Sequence, residues 1–159
     1  MAEGATYRAV FIRMHPTGKA VLSLSERSQG EEAALAQIAA GELGIPPEDV
    51  KVVHEDTDRF GEGNTFNSEP SDAVGENVAI TAVKLRAQAQ IVAGSMLGAS
   101  PDSLSFDNGR WRAQGDDPQG VRIQDVALHT FGGWELPEGI EGSLDAQTTY
   151  RVGAVQATG

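Results

Sequence analysis

Ser28-Gln29-Gly30-Glu31 opens an Ala/Leu-rich helix. Glu55-Asp56-Thr57-Asp58-Arg59-Phe60-Gly61-Glu62-Gly63-Asn64-Thr65-Phe66-Asn67-Ser68 leaves a strand and runs into the longest helix of the chain. Read outward from these two loops, the order is strand, strand, Ser-Gln-Gly helix, strand, Asp-Thr-Asp/Gly-x-Gly loop, long helix. A helix N-terminus presents N–H groups without intrahelical partners and a partial positive charge. Loops placed there suit anionic ligands.

The flanking elements follow from local chemistry. Tyr7–Met14 and Ala20–Leu24 form a hairpin over 7–25, with Val10, Ile12 and Met14 on one face and the turn residues His15-Pro16-Thr17-Gly18 between the strands. Ser28 and Glu31 make a capping-box pattern for a helix over 31–43, along which Leu35, Ile38, Ala39 and Leu43 recur at helical spacing. Gly44 is placed to end that helix at C′, and Pro46-Pro47 block its continuation. Val50–His54 is a short strand.

Val74, Val78, Ala82, Leu85, Ala89, Val92 and Met96 form one apolar stripe of a long helix over 72–97. From Ala73 to Leu97 it spans about 37 Å at 1.5 Å per residue. Ala82, Ala87, Ala89 and Ala93 keep its surface thin, so a neighbour can approach closely. Asn108-Gly109 centres a second hairpin over 103–113, a short helix covers 123–130, and Leu144–Val152 is a last strand. Leu97-Gly98-Ala99-Ser100-Pro101-Asp102-Ser103-Leu104 echoes Leu43-Gly44-Ile45-Pro46-Pro47-Glu48-Asp49-Val50 as a twice-used helix-to-strand connection, with ancestral duplication the other reading. The expected fold is α+β: one domain over 1–159, with a mixed sheet and two hairpins packed on a long helix and a shorter one.

Composition narrows the functions. Hydrophobic residues are 40% but aromatics only 6%, so Ala, Val, Leu and Ile must fill the core. With no cysteine, disulfides, zinc–thiolate sites, iron–sulfur clusters and cysteine nucleophiles are excluded from this chain. The net charge of -11 disfavours nucleic acid and anionic membranes as partners. No apolar run is long enough to span a bilayer, and Met1-Ala2-Glu3-Gly4 lacks the basic and apolar regions of a signal peptide. A cytoplasmic location is expected.

No complete catalytic constellation emerges from residue types alone. His15, His54 and His129 share no metal-ligand spacing. Counted from Asp56, a calcium loop would place Phe60 and Asn67 at positions five and twelve, where acids belong, so no metal ligands are assigned. Gly61-Glu62-Gly63 lacks the third glycine of a dinucleotide fingerprint. Ser28-Gln29-Gly30 reads either as a plain helix cap or as a loop that sets an amide and a backbone N–H against a cofactor edge. The Asp56–Ser68 loop reads either as a solvated turn or as a cofactor cradle built from Gly61, Gly63, Thr65 and Ser68. Trp111 and Trp134 fit core or edge packing better than a stacking platform.

Taken in order, these pieces resemble a known family. They are the Thr17-Gly18-Lys19-Ala20 hairpin, Ser28-Gln29-Gly30, Ala36-Gln37-Ile38-Ala39-Ala40-Gly41-Glu42-Leu43-Gly44-Ile45-Pro46, Asp56-Thr57-Asp58, the helix with Lys84-Leu85-Arg86, and the Asn-Gly hairpin. From Ala5 to about Tyr150 the chain resembles part of the molybdenum-binding large subunit of the xanthine dehydrogenase family, especially its carbon monoxide dehydrogenase-like and aldehyde oxidoreductase-like branches. The resemblance implies a molybdopterin cofactor carrying molybdenum, often in its cytosine dinucleotide form. Gln29 and Gly30 would sit in one cofactor loop, and Thr65, Phe66 and Ser68 in the other. It also implies partners: the remainder of the molybdenum subunit, with iron–sulfur and flavin subunits. The family's Gly-rich segment ending in the active-site Glu has no counterpart here, so no catalytic residue is assigned and the isolated chain is expected to be inactive.

The chain departs from the family pattern Gly-Thr-Phe-Gly-Ser-Arg. Asn67 replaces Gly, Glu69 replaces Arg and Pro70 replaces Ser, while Glu31 stands where many relatives carry Gln. A carboxylate about 5 Å from a pyrophosphate, at an effective dielectric near 20, costs about 3 kcal/mol. Two readings follow. The chain supplies cofactor loops to an oxidoreductase subunit, or it keeps the fold as a non-catalytic binding or assembly module.

Overall fold

Strand β1 (Thr6–Met14) and β2 (Ala20–Leu24) alternate buried with half-exposed residues, the period of a sheet with one face packed. In this computed structural model the described residues are 6–25, 32–54, 71–113, 120–132, 136–137, 140 and 142–152. β1 pairs antiparallel with β2, from Val10↔Leu24 to Met14↔Ala20. The turn closes through the Gly18 N–H bonded to the His15 carbonyl at 2.9 Å, with Gly18 at φ 97°.

Helix α1 (Glu32–Leu43) carries the chain over to β3 (Val50–His54), which lies parallel to β2 from Ala20↔Val50 to Leu24↔His54. Parallel neighbours require such a crossover. β7 (Leu144–Val152) closes the far side against β1, from Met14↔Leu144 to Thr6↔Val152, giving the order β3-β2-β1-β7. This is the mixed sheet expected from the sequence.

Helix α2 (Ser71–Leu97) lies on the packed face. Val74, Val78, Ala82, Leu85, Ala89, Val92 and Ala93 are buried against Val10, Ile12, Leu22, Leu35 and Leu43. Each large aliphatic side chain so buried contributes about 1.5–3 kcal/mol. Ala87 corrects the sequence reading: it lies off the stripe and faces solvent.

α1 and α2 both stop on a glycine in the left-handed region, Gly44 at φ 75° and Gly98 at φ 67°. The Ile45 N–H returns to the Ala40 carbonyl and the Ala99 N–H to the Gly94 carbonyl, closing the last turns. The echo seen in sequence is matched in shape. Pro46 (φ -66°, ψ 143°) and Ser100 (φ -65°, ψ 136°) each precede a single 3-10 turn, Pro47–Asp49 and Pro101–Ser103.

Strands β4 (Ser105–Asp107) and β5 (Arg110–Arg112) form the second hairpin around Asn108 (φ 55°) and Gly109 (φ 79°). Positive φ at both central residues is the conformation Asn-Gly favours. A third strand, β6 (Val121–Arg122), pairs with β5 and was not expected. It feeds directly into α3 (Ile123–Gly132), where the Asp125 carboxylate accepts from the Arg122 backbone N–H at 3.0 Å and so caps the helix. The Arg122 guanidinium hydrogen-bonded to it holds Asp125 below the usual carboxylate range.

This small sheet is joined to α2 through Trp111, which is fully buried. Its Nε1–H donates to Gln90 Oε1 at 2.9 Å, and Gln90 Nε2 donates to the Pro101 carbonyl at 2.8 Å. Phe106 stacks obliquely on Trp111 at 4.6 Å, and the Arg86 guanidinium covers Phe106 at 5.1 Å while donating to the Glu42 carbonyl at 2.8 Å.

One polar contact crosses the main core. The Thr81 hydroxyl lies 2.6 Å from the Asn77 carbonyl and 2.7 Å from the Thr148 hydroxyl. Thr81 has one proton; if it goes to Asn77, Thr148 must donate to Thr81. Thr81→Val is then expected to cost about 1–3 kcal/mol by stranding Thr148, whereas Thr81→Val/Thr148→Val is expected to be closer to neutral. A urea-melt double-mutant cycle checks this, and strictly additive losses would contradict the pairing.

Candidate functional site

Gln29 and Gly30, and Thr65, Phe66 and Ser68, lie outside the described residues. The roots of their two loops are described. Segment 26–31 leaves the end of β2 and enters α1; segment 55–70 leaves the end of β3 and enters α2. Leu24 and His54 are register partners in the parallel pair, so both loops start from adjacent strand ends on one edge of the sheet. Ligands of open sheets containing such parallel units bind outside these carboxyl ends.

Two contacts fix the roots. The Ser25 N–H donates to the Ala9 carbonyl at 3.1 Å, and the Ala9 N–H donates to Ser25 Oγ at 2.8 Å, so the first loop leaves a doubly tied residue. Glu32, the first residue of α1, places its carboxylate 3.1 Å from His54 Nε2. That bridge links the end of the first loop to the start of the second. It also gives a partner to a carboxylate that would otherwise repel an anion nearby. Neither contact was read from the sequence. The signal for adjacency was present, however, because a helix joining two short strands implies parallel pairing.

The helices leave this edge in the same sense. A Cβ at Gly75 would meet Ile38 Cδ1 at 3.1 Å, and further along Arg86 Nη1 reaches Glu42 Oε1 at 3.0 Å. Two helix N-termini at one edge form the backbone-donor arrangement that an anionic pterin needs, so the described residues fit such a group. A cleft of about 400 Å³ between α1 and β3 is less suitable: Glu32 and Glu48 line it beside Ala36, Gln37, Val50 and Val52, with no cation among its lining residues. Among the described residues there is no metal-ligand cluster, and no helix is long and apolar enough to cross a membrane.

Comparison with known proteins agrees with this layout. The family described as "Molybdopterin cofactor-binding domain" matches residues 2–159. The carbon monoxide dehydrogenase large chain of Hydrogenophaga pseudoflava is 33% identical over 142 residues, covering 87% of this chain and 17% of that one. The nicotine 6-hydroxylase large subunit of Paenarthrobacter nicotinovorans is 30% identical over 154 residues, covering 91% and 18%. The crystal structure of a Cu,Mo-CO dehydrogenase superposes with a TM-score of 0.76 at 30% identity, covering 90% of this chain and 18% of that chain. Quinoline 2-oxidoreductase from Pseudomonas putida 86 gives 0.73 at 28% identity, covering 91% and 19%. The chain thus spans less than a fifth of the length of these relatives. It belongs to the molybdopterin cofactor-binding domain family and corresponds to part of a molybdenum hydroxylase large subunit.

Proposed function

We propose that this chain supplies two cofactor-contacting loops to the molybdenum subunit of an oxidoreductase of the carbon monoxide, aldehyde or xanthine dehydrogenase type. The observation that carries the reading is the Leu24↔His54 pairing, which starts both loops from one edge. In this reading Gln29 and Gly30 hold the pterin from one loop, and Thr65, Phe66 and Ser68 from the other. Bound molybdenum supplies the redox chemistry on a small substrate. Ser25 and the Glu32–His54 bridge keep the two loop roots together. The cofactor may be the cytosine dinucleotide form, the catalytic Glu comes from the remainder of the subunit, and iron–sulfur and flavin subunits carry electrons away.

The isolated chain is therefore expected to turn over neither CO, an aldehyde nor a purine, and to hold less than stoichiometric molybdenum. Metal analysis with activity assays checks this, and stoichiometric metal with turnover would overturn it. Glu69 and Pro70 favour the second reading, a fold kept for assembly after cofactor binding was lost. Glu69→Arg/Pro70→Ser separates the two. A gain in pterin binding supports the cofactor role; no gain, together with a co-purifying protein partner, supports the assembly role.

A further inference from the structure

Among the described residues five large apolar side chains are exposed, and three of them, Ile80 (43%), Val83 (41%) and Ile91 (41%), lie on α2. With the exposed Ala87 between them they step by three, four and four residues, which traces one face of a helix. This face is separate from the buried stripe. The open face of the main sheet is built differently. There Arg13 pairs with Asp145 at 3.2 Å and lies 5.5 Å over the Phe11 ring, so charge covers the apolar surface. Lys84, the cation beside the α2 stripe, turns away and donates from Nζ to the Gln147 carbonyl at 3.0 Å.

The stripe begins level with the loop roots. Thr81, next to Ile80, bonds Thr148; Thr148 pairs with Val10, Val10 with Leu24, and Leu24 with His54. A body that completes the ligand site at this edge can therefore continue along α2. The stripe is also small. It runs about 17 Å from Ile80 to Ile91 at 1.5 Å per residue, well short of the roughly 800 Å² per partner that a stable free-standing dimer buries. A patch of that size suits one part of a larger contact, and most of each relative lies outside the segment matched here.

We infer that the Ile80–Val83–Ala87–Ile91 face of α2 is the seat of the remaining polypeptide of a molybdenum large subunit, not of a second copy of this chain. The inference rests on the function proposed above. The chain has no cysteine, so Ile91→Cys introduces a unique thiol. It is expected to react readily with a maleimide in the isolated chain, and at least tenfold more slowly when the chain replaces the matched segment of the Hydrogenophaga pseudoflava large chain, read peptide by peptide. The isolated chain is expected to run as a monomer, and Ile80→Lys/Ile91→Glu to leave its melting temperature unchanged while preventing soluble assembly of the chimera. A chimera that holds molybdenum cofactor yet labels as fast as the isolated chain overturns this inference alone. A chimera that neither folds nor holds cofactor overturns the proposed function with it. An isolated chain that dimerises and protects position 91 assigns the face to a second copy and also overturns the inference.

Discussion

Gly44→Ala is expected to destabilise the protein by about 3–5 kcal/mol, while Gly41→Ala, three residues earlier, is expected to stabilise it by about 0.5–1 kcal/mol. The contrast comes from space and backbone angle. Gly41 sits inside α1 with nothing within 4 Å of an added Cβ, so alanine there only reduces the freedom of the unfolded chain. Gly44 has φ 75°, and an added Cβ would overlap the backbone of Asn108 and Gly109. Backbone cannot rotate aside as a flexible side chain can, so the β4–β5 hairpin would have to lift from the end of α1. Gly98 separates the two causes: it has φ 67° and open space, so Gly98→Ala is expected to cost only the left-handed penalty, about 1–2 kcal/mol. Urea unfolding of the three variants should rank them Gly41, Gly98, Gly44. Equal losses at Gly44 and Gly98 would remove the close approach as a cause.

Trp111→Ala is expected to cost about 3–5 kcal/mol, lowering the melting temperature by about 10 °C in a chain of this size. The side chain is fully buried, stacks on Phe106 and donates to Gln90. Its removal opens a cavity and also strands Gln90 Oε1. Trp111→Phe keeps much of the packing but removes the donor, so about 1–3 kcal/mol should be lost. Thermal denaturation followed by circular dichroism distinguishes the two variants. A loss below about 1 kcal/mol for Trp111→Ala would show that the small sheet is not keyed to α2 through this residue.

What could be read from the sequence was what neighbouring residues decide. Gly44 and Gly98 follow apolar helical repeats, and Asn108-Gly109 lies between short strand candidates, so backbone angles at these points were legible. The α2 stripe was legible because period alone separates Val78 and Leu85 from solvent. Ala87 misled because small size says nothing about direction. β6 is two residues long, too short for any period to register, and it exists only because β5 offers an edge. The meeting of Gly44 with Gly109 joins two turns far apart in the chain, and no local pattern encodes it. For the site, the order of strands and helices implied that the loops share an edge, and the Leu24↔His54 register agrees. The Ser25 tie and the Glu32–His54 bridge depend on side chains meeting across elements, which no spacing rule reaches.

The pairing of β1 with β7 also governs how this unit joins a longer polypeptide. Thr6 lies opposite Val152, so the segment begins and finishes about one strand spacing apart, near 5 Å. A host chain carrying it departs and resumes at almost the same point, and to that host the whole unit costs little more closure entropy than a short turn. The unit is thus a cassette, exchangeable between hosts at a single splice. That splice falls on the same rim from which both ligand loops leave, so whichever polypeptide adopts the cassette arrives beside its functional edge.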